Sequence, residues 1–224
     1  MLVKNKYKYT RYLCADYISE EEHTDFEVCV NEESISEEIK CSEIETNAAY
    51  AESVCIHREI AERLAEYDAF LLHSALIECD GVGVAFAARS GVGKSTHVGL
   101  WRKNFGERVK IINGDKPIIR FFDGVPYAFG TPWLGKEGLG ENTSCKFSAL
   151  CFLERGVENK IAEIPAELGA MAMFSQIYIP QNEQNAAKTL ELADKFSLAV
   201  RFYRLACNMD DEAAVVSHNA IIKR

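Results

Sequence analysis

The stretch from Val82 to Thr96, V-G-V-A-F-A-A-R-S-G-V-G-K-S-T, constrains the fold more than any other part of the chain. It reads as an apolar strand, a glycine-containing loop and the first turn of a helix. A strand feeding a tight turn aims successive backbone N–H groups and the positive end of a helix at one point, where a polyphosphate can be held. Gly91 and Gly93 allow backbone conformations that a Cβ forbids and let the main chain approach a ligand closely. On this reading Ser90, Gly91, Val92, Gly93, Lys94, Ser95 and Thr96 cradle the phosphates. Lys94 reaches the β- and γ-phosphates as a point charge, and the Ser95 hydroxyl ligates Mg2+. The pattern G-x-x-x-x-G-K-[ST] asks for glycine six positions before the lysine, and this chain has Ala88 there. Either the loop has another shape or the strand runs one residue longer. The helix is expected from Ser95 to about Phe105, closed by Gly106.

A second apolar strand, R-V-K-I-I-N-G-D, follows that helix and ends in Asn113-Gly114-Asp115. A carboxylate at the carboxyl end of a strand beside a phosphate loop can hold magnesium or orient a nucleophile, so Asp115 is a candidate for both roles. The N-G-D triplet is also strong turn chemistry, which is the alternative. Asp123-Gly124 then joins two short strands, 117–122 and 125–129, as a hairpin. It leads to G-T-P-W-L-G-K-E-G-L-G-E-N at 130–142, a glycine-dense loop expected to serve as a lid or acceptor-binding segment. Within it Lys136 adds positive charge for the transferring phosphoryl group and Trp133 is placed to stack on a ligand. Glu137 and Glu141 read as ordinary loop side chains.

Upstream, Phe70 to Glu78 is almost wholly apolar and reads with Val82 to Ala88 as a hairpin turning at Cys79-Asp80-Gly81. His73 falls inside its first arm, on the face of Ala75 and Ile77, where periodicity alone makes it a core residue. Residues 7–14 and 26–30 alternate as short strands with Glu-rich connections, and Thr46 to Tyr67 turns helical with a stripe of Ile56, Ile60, Leu64 and Tyr67. His57 flanks that stripe and reads as structural. The expected division is a small acidic cover, residues 1–68, and a catalytic domain, 69–224. The tail carries a strand at 147–153, helices near 166–176, 183–196 and 211–222, and a strand at 198–205.

The formal charge of −9 lies wholly within residues 1–66, which hold 16 acidic and 7 basic residues. There is no basic footprint, so no nucleic-acid partner is expected. No apolar run approaches the roughly 20 residues of a membrane span, and the N-terminus lacks the apolar core of a signal peptide, so no membrane partner and a cytoplasmic location are expected. The eight cysteines show no C-x-x-C pair or zinc spacing and read as free thiols.

With His73, the loop and Asp115 in view, residues 69–154 resemble the catalytic domain of the HPr kinase/phosphorylase family and its short phosphoenolpyruvate-carboxykinase-like relatives. The matching features are His73-x7-Gly81-x-Gly83, S-G-V-G-K-S at 90–95, and the aspartate closing the next strand. The resemblance implies an α/β fold, a P-loop kinase core with a mixed sheet, flanking helices and a small β-containing N-terminal cover. It makes His73, Lys94 and Asp115 the active-site constellation, with Asp115 the base, and it implies assembly as a homo-oligomer. Gly114 stands where the family has the first of two adjacent aspartates. G-T-P-W-L-G-K stands where the family has E-I-R-G-L-G, so the likeness extends neither to HPr as acceptor nor to phosphorolysis. The expected function is an ATP- and Mg2+-dependent kinase acting on a hydroxyl-bearing, serine-type acceptor. The alternatives are a non-catalytic nucleotide-binding regulator, motivated by Ala88 and Gly114, and a carboxykinase-like enzyme acting on oxaloacetate.

Overall fold

The computed structural model describes residues 1–42, 44–89 and 91–223. The chain begins with strand β1 (Leu2–Lys4), helix α1 (Lys8–Leu13), strand β2 (Glu27–Cys29), and helices α2 (Glu32–Cys41) and α3 (Ala48–Arg63). β1 and β2 pair in parallel as a separate two-stranded sheet. This first segment is therefore mainly helical, and the strand expected over 7–14 is α1 instead. The cause is tertiary. Glu52 on α3, only 1% exposed, accepts the N–H groups of Lys6 and Tyr7 and the hydroxyl of Thr10, and so anchors the entry and first turns of α1 from more than 40 residues away. α2 replaces an expected Glu-rich connection; Asn31 caps it by accepting the Ser34 N–H at 2.8 Å. In α3 the cap is Asn47, which accepts the Tyr50 N–H, one residue after the expected Thr46. Its buried stripe of Ile56, Ile60 and Leu64 packs with Val28, Ala69 and Leu71.

The remaining elements are β3 (Ala69–Leu71), β4 (Ala75–Cys79), β5 (Val82–Ala87), α4 (Lys94–Phe105), β6 (Val109–Asn113), β7 (Ile118–Phe122), β8 (Val125–Phe129), β9 (Ser144–Arg155), β10 (Lys160–Ile164), α5 (Ala166–Met173), α6 (Glu183–Ala199), β11 (Arg201–Cys207) and α7 (Glu212–Ile221). Among the described residues nine strands form one curled mixed sheet in the order β3-β7-β8-β9-β5-β4-β6, with β11 beside β9 and β10 beside β11. The long β9 makes the curl. Residues 144–146 pair with β8, residues 149–155 pair with β11, and its other edge carries β5.

Alternation along the strands sorts side chains to two faces. Leu76, Ala85, Ile112, Phe147 and Leu150 face α5 and α6 through Met173, Leu192 and Phe196. Ile77, Val84, Phe86, Ile111 and Cys151 face α4 and α7 through Val98, Trp101, Ala214 and Ile221. The expected first hairpin arm is not one strand. It breaks at Leu72–Ser74, because β3 pairs with β7 at one end of the sheet while β4 pairs with β5 and β6 at the other. His73 lies in that break and not within a strand. The hairpin at Asp123-Gly124 forms as expected, with φ of 50° and 78°, and Asp80-Gly81 repeats it at 52° and 80°.

Phe196 is fully buried, edge-on to both Phe70 and Phe147 at centroid separations of 5.5 and 4.8 Å. Phe196→Ala is expected to cost about 3–5 kcal/mol, read as a lowered urea midpoint at unchanged slope. A change under about 1 kcal/mol would show that this face of the sheet is not the core it looks like.

Candidate active site

Strand direction brings three distant residues to one end of the sheet. β5 and β6 run the same way with β4 antiparallel between them, so β4 starts where its neighbours finish. The glycine loop leaves the end of β5, Asp115 follows the end of β6, and His73 immediately precedes β4. Lys94 Nζ lies 3.1 Å from His73 Nε2, and the same Nε2 lies 3.2 Å from Asp115 Oδ1. Lys94 also donates to the Ala88 carbonyl at 3.4 Å.

Nε2 has a single hydrogen-bonding direction, yet a donor and an acceptor both contact it. Either the bare nitrogen accepts from the Lys94 ammonium, or the protonated nitrogen donates to Asp115. Only one of these two hydrogen bonds can form at a time, so the position of the His73 ring proton decides which neighbour the ring engages. Burial pulls the Lys94 pKa below its ordinary value, with Asp115 opposing the shift and Lys116 adding to it. For Asp115 burial acts upward. The His73 hydrogen bond together with Lys116, His73 and Lys94 outweighs it and holds the carboxyl below its usual range. Lys116 Nζ stands 3.7 Å from Asp115 Oδ2.

Asn113 sets the geometry of this corner. Fully buried, its side-chain oxygen accepts the N–H groups of Asp115 at 2.9 Å and Lys116 at 2.6 Å, and its amide nitrogen donates to the Thr131 hydroxyl at 3.0 Å. Gly114 donates its N–H to the Leu139 carbonyl, and a Cβ there would lie 3.0 Å from the carbonyls of both Leu134 and Leu139. Any larger residue at that position would press on the 131–140 loop packed against it. At Gly135, φ 75°, a Cβ would strike Asp115 Cβ at 2.8 Å. The glycine-dense loop is therefore pinned to the end of β6 by close main-chain packing, and it is no free lid. Trp133 is likewise occupied: it stacks on His57 at 4.4 Å and donates its indole N–H to the Ser53 carbonyl. Burial, with Lys116 next, lowers the His57 pKa to about 3, so this ring is neutral near pH 7.

Around the trio lies a cleft of about 920 Å³. Gly91, Gly93, Lys94, Ser95, Thr96 and Lys136 line it, as do Arg89, Lys116 and Glu137. Cations outnumber acids there, with Arg89, Lys94, Lys116 and Lys136 against Asp115 and Glu137, in a chain of net charge −9. Gly91 and Gly93 have φ of 77° and 124°, and a Cβ on Gly91 would meet nothing within 4 Å. α4 starts at Lys94, and its first intrahelical bond runs from the His97 N–H to the Gly93 carbonyl, which leaves the amides of the first turn facing outward. Val92 departs from the expected cradle: its N–H is spent on the Arg89 carbonyl, and its side chain packs on the core. Ser90 lies outside the described residues. Ala88 is buried, directly follows β5 and has no positive φ, so the turn does not demand glycine there.

Arg89, Asn113 and Lys116 belong to this site without having been singled out from the sequence. Asn113 was hidden within the N-G-D turn, Lys116 went unremarked between that turn and the next strand, and Arg89 stood in plain view within the glycine loop. The described residues contain no helix long and apolar enough to cross a membrane.

No family model matches the sequence, and no curated protein matches it. Among solved structures, an HPr(Ser) kinase/phosphatase from Coxiella burnetii aligns with 68% of this chain and 97% of its own at a TM-score of 0.38 and 9% identity. A score and an identity this low carry no inference about activity, so the site is interpreted from its own geometry.

Because the folded state favours the charged form of Asp115, that contribution to stability is complete above the unfolded pKa of about 3.9 and is lost as pH falls through the depressed folded value. The urea midpoint of the wild-type protein is expected to drop more steeply than that of Asp115→Asn as pH falls below about 4. Parallel profiles would contradict the assigned contacts.

Proposed function

We propose that this cleft is the active site of a nucleotide-dependent kinase that transfers the γ-phosphoryl group of ATP to a hydroxyl. The observation that carries the reading is the unbroken chain of contacts from Lys94 through His73 to Asp115, at 3.1 and 3.2 Å, inside a cation-rich cleft. Outward amides at the start of α4, open space above Gly91 and the Lys94 ammonium beside them are what a polyphosphate requires. Ser95 and Asp115 are the residues that would hold magnesium, which when bound would neutralise charge on the phosphates.

The acceptor oxygen would attack the γ-phosphorus, forming one P–O bond as the bond to the β–γ bridging oxygen breaks and ADP departs. The hydroxyl proton would pass to the Asp115 carboxylate. Lys94, Lys116 and Lys136 would counter charge on the transferred group. A triphosphate would draw the Lys94 ammonium away from His73. The freed Nε2, in the tautomer that carries the ring proton there, would donate to Asp115 and keep the carboxylate oriented. Two features that motivated a non-catalytic reading have structural explanations: Ala88 needs no positive φ, and Gly114 lies close under the loop packed on it. A carboxykinase needs arginines for its substrate's carboxylates, and Arg89 is the one arginine among the described lining residues. A cytoplasmic location and a serine-type acceptor belong to the same proposal.

Lys94→Ala is expected to abolish transfer from γ-labelled ATP to acceptors in fractionated extract and to weaken Mg-ATP binding measured by calorimetry. Asp115→Asn should keep nucleotide binding while losing turnover by about 10²-fold or more. Equal turnover of that variant and the wild-type protein would remove Asp115 from the mechanism.

A further inference from the structure

The acceptor side of the cleft has a second chemistry. Tyr9, Leu13, Ile44 and Tyr50, all from the helical N-terminal segment, line the same volume as the cationic residues. Tyr9 is 37% exposed, Tyr50 43% and Ile44 62%, a cluster of large apolar side chains left open to water. The rings of Tyr9 and Tyr50 stand 6.2 Å apart at 52°, too far tilted to cover one another. A second hollow of about 310 Å³ shares Tyr9, Ile44 and Tyr50 and adds Glu45, Thr46, Asn47 and Ala49. An apolar space of about 150 Å³ is enough to hold a benzene ring.

This apolar wall is fastened to the Asp115 side. α3 is joined to the 131–137 loop by the Trp133 indole N–H on the Ser53 carbonyl and by the His57–Trp133 stack, and that loop lies on Asp115 through Gly135. Asn142 adds a bond to the Asp16 carbonyl just after α1. The glycine loop is held from another element, by Arg155 donating to the Gly91 carbonyl at 2.8 Å. The phosphate donor and the apolar wall thus belong to different supports, and Asp115 sits with the wall.

Building on the kinase reading, we propose that Tyr9, Leu13, Ile44 and Tyr50 form the acceptor subsite, and that the acceptor is a small molecule bearing an aromatic body a short chain away from its hydroxyl. A wall supplied by the chain's own first 50 residues suits such a molecule better than the folded surface of a protein.

The test uses product-type esters and the full chain. Calorimetric titration with 2-phenylethyl phosphate and with ethyl phosphate is expected to show the aromatic ester binding at least about tenfold more tightly. Tyr50→Ser should bring the ratio to within about threefold of unity; Ile44→Ser, at a more exposed position, gives the same reading should the first variant not fold. Equal affinities for the two esters in the wild-type protein, or a ratio untouched by these variants, overturns the subsite. So does failure of both esters to bind where Mg-ATP binds, an outcome that leaves the kinase reading standing. Failure of Mg-ATP itself to bind overturns the kinase reading and the subsite with it.

Discussion

An ammonium and a carboxylate meeting at one imidazole nitrogen is the arrangement on which the rest of this structure turns. Left in a partly buried cleft, Lys94 or Asp115 alone would carry a desolvation penalty that nothing offsets. Together, with His73 between them and Lys116 behind, they hold each other's charge states. The topology makes the meeting possible. Had β4 run parallel to β5 and β6, His73 would lie at the far end of the sheet from the glycine loop and from Asp115. The break at Leu72–Ser74 serves the same end: the His73 N–H donates to the Gln176 carbonyl and the Ser74 N–H to the Asp115 carbonyl, so the residue is fixed by main chain on both sides.

Around this trio the protein spends its close packing on the acceptor side. Asn113 ties the Asp115 turn to Thr131. Gly130 leaves no room for a Cβ against neighbouring main chain, and Gly114 and Gly140 leave little. The result is a loop that carries Trp133 onto α3 and brings an N-terminal wall to the cleft. Glu52 extends the linkage one step further, since it fixes α1, and with it Tyr9 and Leu13, to α3. The glycine loop presents the opposite character, with positive φ at Gly91 and Gly93 and empty space over Gly91. Rigidity lies where an acceptor must be aimed, and open backbone lies where a polyanion must be received.

Much of this was legible in the residues, for identifiable reasons. Val82 to Phe105 carries its own signals: a continuous apolar strand, paired glycines, a helix closed by glycine. Asp123-Gly124 encodes its turn locally. Asp115 could be singled out because an acid directly after an apolar strand is rare in a core. What stayed hidden depended on partners distant in sequence. Y-K-Y-T-R-Y-L-C alternates like a strand, and only the carboxylate of Glu52 makes it a helix. Nothing local in Phe70 to Glu78 marks the switch between sheet ends, so the break at His73 could not be read from an unbroken apolar run. Gly114 looked like the loss of a functional acid until the carbonyls of Leu134 and Leu139 were seen to crowd the space. The Tyr9/Tyr50 wall was out of reach because its members lie on two helices, one of which reads as a strand.

The claim at the centre is that Lys94, His73 and Asp115 act as one unit answerable to a polyphosphate. Nitrogen-15 spectra of histidine side chains, recorded as Mg-ATP is added, test it most directly. The account predicts a large shift at His73 Nε2, as the ammonium leaves and the nitrogen becomes a donor to Asp115, with the buried rings of His97 and His218 unmoved. An unchanged His73 resonance in nucleotide-saturated protein would contradict it.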